Sequence, residues 1–97
     1  MMPEGPVART IREKLEAAFA PERLEVTDDS ARHAGHAGAR IGGESHFNVV
    51  IVASAFKGLS RLERQRRVYS ALAAELAGPV HALSARALAP DEEAGKA

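Results

Sequence analysis

Four histidines are the side chains of this 97-residue sequence best suited to metal chemistry, because the sequence contains no cysteine. Without thiols the chain cannot supply a cysteine nucleophile, a redox-active cysteine pair or a thiolate ligand. Neutral imidazole, by contrast, binds zinc, copper, nickel and iron. His33 and His36 stand three residues apart within a glycine-rich stretch. His46 opens an apolar segment, and His81 follows a Gly-Pro pair.

Each histidine also has an ordinary structural interpretation. His33 and His36 suit solvated loop positions, and His46 suits the edge of a strand, where its ring bonds locally. His81 follows a helix end, where the helix dipole favours a proton donor and backbone carbonyls can fix the ring tautomer. A further hypothesis needs no partner: the chain alone binds a divalent metal through His33, His36 and His46.

Basic residues cluster in one segment of the chain. Between Lys57 and Arg67 there is one acidic residue, and the basic residues are Lys57, Arg61, Arg64, Arg66 and Arg67. A helical wheel places Arg64 and Arg67 on the solvent side, so the segment is either a nucleic-acid contact or a solvated helix face. Thirteen basic and thirteen acidic residues cancel over the whole chain, which argues against general phosphate-driven binding.

Other function classes find little support in the sequence. It has no nucleophile elbow, no phosphate-binding loop and no carboxylate pair on a predicted concave surface, so we predict a protein that is not an enzyme. No apolar run approaches the roughly 20 residues that cross a bilayer. Nor does the start resemble a signal peptide. We therefore expect a cytoplasmic protein without a membrane segment, with one domain over residues 1–90 and a flexible tail over residues 91–97.

The first half of the chain predicts a helix and two strands. Apolar residues recur every fourth position from Val7 to Phe19, which indicates an amphipathic helix over residues 6–20. Alternation over residues 23–28 predicts a short strand. Residues 29–43 break every periodicity and form a predicted long loop, a common place for functional residues. Residues 47–53 are apolar on both faces and predict the central strand.

The second half predicts a helix and a third strand. Ser60 and Glu63 have the spacing of a capping box, and Gly78-Pro79 closes the helix. One helical stripe should face the sheet: Leu62, Gln65, Tyr69, Leu72 and Leu76. The amide of Gln65 would then need buried partners. Residues 80–88 predict a strand parallel to the central one, and residues 89–97 a frayed, charged tail. The order indicates an α+β fold with helices packed on a three-stranded mixed sheet.

Five short motifs together resemble the BolA family. They are ESHFNVVIV at residues 44–52, AFKG at 55–58, RQRRVY at 64–69, LAAEL at 72–76 and VHALS at 80–84. The likeness runs from about residue 7 to residue 90. It implies a class II KH-like fold with the order α-β-β-α-(α)-β. One position and one segment depart from the family pattern. Gln65 replaces a histidine, and residues 89–93 replace an aromatic ending, so we expect no anchor for the C-terminus.

The same resemblance implies a partner and a cofactor. BolA-like proteins pair with monothiol glutaredoxins around a 2Fe-2S cluster, which is held by a glutaredoxin cysteine, the thiol of glutathione and residues of the BolA-like chain. The family's ligand histidine matches His81, and its loop ligand matches His33, with His36 as the alternate. The chain alone would be a monomer and the complex a heterodimer. The alternative reading is a DNA-binding transcriptional regulator of the stress and morphology type, which would use Lys57, Arg61, Arg64 and Arg67.

Overall fold

The computed structural model of the chain describes residues 5–29 and 45–94. Its elements are, in chain order, α1 (Pro6–Phe19), β1 (Arg23–Asp28), β2 (His46–Val52), a 3₁₀ turn (Ser54–Phe56), α2 (Arg61–Ala71), α3 (Ala73–Ala77), β3 (Ala82–Leu88) and α4 (Pro90–Ala94). The predicted α+β class and the order of its main elements are confirmed. Proline at the start of α1 loses no hydrogen bond there, because the first amides of a helix have no partner within it.

The three strands form one mixed sheet with β2 in the middle. β1 pairs antiparallel with β2, and Asp28 lies opposite Phe47. β3 pairs parallel with β2, and His46 lies opposite Ala82. The predictions of a central β2 and a parallel β3 are both confirmed. β3 begins two residues later than predicted, at Ala82.

The core lies between α1, α2 and one face of the sheet. Alternate residues of β2 point into it, and Phe47, Val49 and Ile51 are at most 2% exposed. α1 contributes Ala8, Ile11 and Leu15, as its fourfold spacing predicts for the last two. The ring of Phe19, at the end of α1, packs on that of Phe56 with centroids 4.9 Å apart.

α2 begins as predicted but turns a different face to the sheet. The amide of Glu63 donates to Ser60 Oγ at 3.1 Å, as expected for a helix cap. The predicted stripe is wrong in part, because Leu62 is 60% and Tyr69 38% exposed. The buried residues of α2 are instead Arg64 and Val68. The prediction of one continuous helix is also wrong: Leu72 has φ −110° and ψ 20°, and it separates α2 from α3.

Three side chains of α2 donate hydrogen bonds to the outer edge of β3. Alternate carbonyls of a strand point to the same side. Tyr69 Oη, Gln65 Nε2 and Arg64 Nη1 lie 2.9, 2.5 and 3.1 Å from the carbonyl oxygens of Leu83, Ala85 and Ala87. The expectation that the half-buried amide of Gln65 needs a partner is confirmed. These bonds fix how α2 lies along β3.

The segment after β3 is more regular than the sequence predicts. Residues 90–94 form the short helix α4 instead of a frayed tail, while residues 95–97 lie outside the described part. Glu92 accepts the amide of Ala89 at 3.0 Å, as the third residue of a helix does in a capping box. It also pairs with Arg64. The segment is therefore anchored by an ion pair, and the expectation that the C-terminus has no anchor is wrong.

No helix within residues 5–29 and 45–94 has both the length and the apolar character that a membrane span requires.

Candidate metal centre

The sheet brings His46 and His81 together at one end. His46 is the first residue of β2, and His81 immediately precedes β3. Because the two strands are parallel and in register, their first residues lie side by side. The imidazole centroids are 6.3 Å apart, and the ring planes differ by 23°. Two nitrogen-bearing rings of this chain thus share one small surface.

Ser45 holds both histidines in place. Its side chain is fully buried, and its carbonyl accepts the amide of His81 at 2.7 Å. Its hydroxyl lies 2.8 Å from Nδ1 of His46. The His46 side chain is half-buried, while His81 is exposed. The backbone at position 81 is therefore held by a hydrogen bond, while its imidazole is open to solvent.

The described residues on either side of the predicted long loop, Asp29 and Ser45, lie at the same end of the sheet. The amide of Asp29, after β1, donates to the carbonyl of His46 at 2.7 Å, and Asn48 donates to the Asp29 carboxylate at 3.1 Å. Ser45 immediately precedes β2, on the other side of the loop. His33 and His36 themselves lie outside the described residues. Their role as ligands remains a prediction.

Among the residues that the structure describes, no group of three or more potential ligands converges on one point. The sequence placed His46 only in the hypothesis of a metal site formed by the chain alone. It did not pair His46 with His81, although the predicted parallel strands and the histidine at the start of each already implied that neighbourhood. The structure thus adds His46 to the residues around His81.

The basic segment is less uniform than the sequence predicts. Lys57, Arg61 and Arg67 are exposed, but the placement of Arg64 on the solvent side is wrong, since this residue is 8% exposed. Arg64 Nε donates to the carbonyl of Leu59 at 3.0 Å. Its Nη1 and Nη2 donate to the two carboxylate oxygens of Glu92 at 2.5 and 2.8 Å. Arg64 is thus tied into the fold.

Comparison with known proteins decides the family. The model of the family described as BolA-like protein matches residues 15–92. This chain belongs to the BolA-like family. Human BolA-like protein 1 is 51% identical to it over 86 residues, which are 89% of this chain and 60% of that protein. The chain therefore spans about 60% of the length of its BolA-like protein 1 relatives.

Two other members extend the comparison. The Escherichia coli K12 protein named DNA-binding transcriptional regulator BolA is 50% identical over 78 residues, covering 80% of this chain and 70% of that one. The solved BolA domain of SufE1 from Arabidopsis thaliana superposes with a TM-score of 0.83 at 46% identity, covering 93% of this chain and 99% of that one. The BolA resemblance is confirmed. The class II KH-like description of the fold stays a prediction.

The pairing of Arg64 with Glu92 gives this BolA-like chain a strongly shifted carboxyl group. The hydrogen bond from Arg64, helped by that from the amide of Ala89, lowers the pKa of Glu92 from 4.5 to about 2. The same bond raises the pKa of Arg64. Since the ionised form of Glu92 is the one held in the fold, the pair stabilises the native state above pH 4.5, and this contribution is lost as the pH falls towards 2.

We therefore expect the melting temperatures of the native chain and a Glu92→Gln variant to converge in acid. Above pH 4.5 the native chain should melt higher by a constant margin, and the margin should shrink towards zero near pH 2. Melting curves recorded by circular dichroism at each pH measure it. Asp91→Asn, which removes a charge from the next position, is the matched control and should show a much smaller change. A margin for Glu92→Gln that stays constant down to pH 2 would contradict the pairing.

Proposed function

We propose that this chain is a non-enzymatic partner of a monothiol glutaredoxin and shares with it a glutathione-ligated 2Fe-2S cluster, in cluster assembly, trafficking or iron sensing. The observation that carries the proposal is the exposed imidazole of His81, set on a backbone that Ser45 holds by a 2.7 Å hydrogen bond. His81 would be the first ligand from this chain. His33 would be the second, with His36 as the alternate.

The described residues suit a ligand set shared between two proteins. Imidazole is a donor that 2Fe-2S clusters accept in place of thiolate. The chain offers no thiolate. Its described part brings only His46 and His81 together, which is too few groups to hold such a cluster. A partner's cysteine and glutathione would supply the sulfur ligands that this chain lacks.

Chain connectivity is compatible with a loop ligand. His33 is four residues beyond Asp29, and four residues span at most about 14 Å. Asp29 is itself bonded to His46, at the end of the sheet where His81 lies. When bound, a cluster with imidazole on one iron carries less negative charge and has a higher reduction potential than one with thiolates alone. The task of this chain is to present the imidazoles and hold their rings.

The test is a spectrum of the mixed complex. We expect anaerobic reconstitution of this chain with a monothiol glutaredoxin and glutathione to give a heterodimer whose visible absorption and circular dichroism differ from those of the glutaredoxin alone. His81→Ala should abolish that difference, and His33→Ala should change it more than His36→Ala. The reduced cluster should also show magnetic coupling to ¹⁵N from labelled histidine of this chain, and His81→Ala should remove it.

His46→Ala is the matched control, because it removes the neighbouring ring while leaving both proposed ligands. If the spectrum survives the double change His81→Ala with His33→Ala, these ligands are wrong. If the two proteins form no complex at all, the proposed partner is wrong as well.

A second candidate function is binding of duplex DNA, favoured by the name of the E. coli relative at 50% identity. The burial of Arg64 and its pairing with Glu92 remove one of the four residues proposed for it. Phosphate contacts would then fall to Lys57, Arg61 and Arg67. Of these, Arg67 lies 3.3 Å from the Glu63 carboxylate, which lowers the positive charge available to phosphate.

A further inference from the structure

A cavity of about 820 Å³ lies between α2 and the second half of β3. Its polar lining is formed by Arg61, Arg64, Gln65, Arg86 and Glu92. The first β3 residue that lines the cavity, Ala85, lies four residues after His81. Four residues of strand measure about 13 Å, and neither His46 nor His81 lines the cavity. The cavity is therefore distinct from the His46–His81 site.

Arg64 makes the floor of this cavity a preformed carboxylate site. The carbonyls of Leu59 and Ala87 hold its guanidinium at 3.0 and 3.1 Å. Two further N–H groups meet both oxygens of Glu92 at 2.5 and 2.8 Å. This two-point arrangement is the geometry in which arginine recognises a carboxylate most strongly. Glu92 shows the site with a carboxylate already bound.

The cavity keeps positive charge after Glu92 has neutralised Arg64. Arg61 and Arg86 also line it and are exposed. Within residues 5–29 and 45–94, neither side chain makes a hydrogen bond or an ion pair. The guanidinium groups of Arg61 and Arg86 therefore remain available in addition to the Arg64–Glu92 pair. The cavity suits a ligand that carries more than one negatively charged group.

We propose that this cavity binds an acidic segment of a partner protein, and that Glu92 is an intramolecular occupant that such a segment displaces. Arg64 would take one carboxylate, and Arg61 and Arg86 would take others. A carboxylate of the incoming segment can take the place of the Glu92 carboxylate on Arg64 in the same two-point geometry. Once another carboxylate has taken Arg64, α4 is not stable enough to keep Glu92 in place, because a helix of five residues is unstable without such contacts.

Displacement should be measurable because Glu92 competes from within the same chain. A tethered group acts at an effective concentration of the order of millimolar. A free acidic segment therefore binds the native chain weakly and binds more tightly once the tethered carboxylate is gone. The suitable probe is a fluorescent hexapeptide that copies residues 89–94, Ala-Pro-Asp-Glu-Glu-Ala.

We expect Glu92→Gln to bind this peptide at least tenfold more tightly than the native chain in fluorescence anisotropy. Asp91→Asn, the matched control, should stay within twofold of native. In the Glu92→Gln background, the double change Arg61→Ala with Arg86→Ala should weaken binding at least tenfold. The same double change in the native chain gives a second reading that does not depend on altering Glu92.

Three outcomes would overturn the proposal. One is equal affinity of the native chain and Glu92→Gln, with both folded by far-ultraviolet circular dichroism. Another is unchanged affinity after loss of Arg61 and Arg86. The third is tighter, steeply salt-dependent binding of a labelled DNA duplex than of the peptide by Glu92→Gln, which would assign the cavity to nucleic acid. None of these measurements involves a glutaredoxin or a cluster, so they test the acidic-segment proposal independently of the proposed function.

Discussion

Replacing Arg64 by methionine is expected to lower the free energy of unfolding by about 2–3 kcal/mol. The methionine keeps much of the apolar stem but leaves the carbonyls of Leu59 and Ala87 and the carboxylate of Glu92 without their donors. Breaking a fully buried ion pair costs about 3–5 kcal/mol. The expected value is smaller because the Glu92 side chain is 41% exposed and regains water when released.

Arg67→Met is the matched control for this change, being the same substitution three residues further along α2. The Arg67 side chain is 51% exposed and makes an ion pair with Glu63 one helical turn away. Such exposed pairs contribute about 0.3–0.5 kcal/mol. Urea unfolding followed by circular dichroism measures both variants. Equal losses at the two positions would mean that Arg64 does not have the buried role described above.

Leu72→Ala is expected to lower the free energy of unfolding by about 3 kcal/mol, because large-to-alanine changes in a core cost about 2–5 kcal/mol. Leu72 is 1% exposed and packs in the core with Val68 and Phe56. Leu62→Ala should cost less than about 0.5 kcal/mol, as surface changes do. Leu62 is 60% exposed.

The comparison of Leu72 with Leu62 also tests the face that α2 presents to the sheet. Sequence periodicity gave both leucines the same role, whereas the structure gives them opposite ones. Thermal and urea unfolding of the two variants decide between these views. Similar losses from both substitutions would support the stripe predicted from the sequence.

Much of the fold follows from local sequence pattern. α1 has a helical period, β1 has a strand period, and β2 is a short run that is apolar on both faces, so the positions of all three were predicted to within a residue. α2 was misjudged because hydrophobic periodicity counts every arginine as a surface residue. Arg64 is buried because the nearby carbonyl of Leu59, the carbonyl of Ala87 in β3 and the Glu92 carboxylate of α4 receive its N–H groups, and the last two are distant in sequence. Those partners are set by tertiary structure.

The candidate site, like the fold, could be predicted from the sequence only in part. His81 and its place at the start of β3 followed from the family motif and the Gly-Pro pair before it. The closeness of His46 to His81 was implied by the predicted parallel pairing of β2 with β3, and the register of the two strands makes it definite. The anchoring of the C-terminal segment escaped prediction because a charged stretch has no hydrophobic period. The capping position of Glu92 after Pro90 was the available local signal.

The hydrogen bonds from α2 to β3 also affect how this protein meets other chains. An exposed strand edge invites a further strand to add to the sheet, which leads to self-association and fibrils. Here Tyr69, Gln65 and Arg64 occupy the outward carbonyls of Leu83, Ala85 and Ala87. An incoming strand would have to break all three bonds to pair there. Side chains of α2 thus protect the β3 edge of the sheet from edge-to-edge aggregation, and this protection needs neither an extra strand nor a proline.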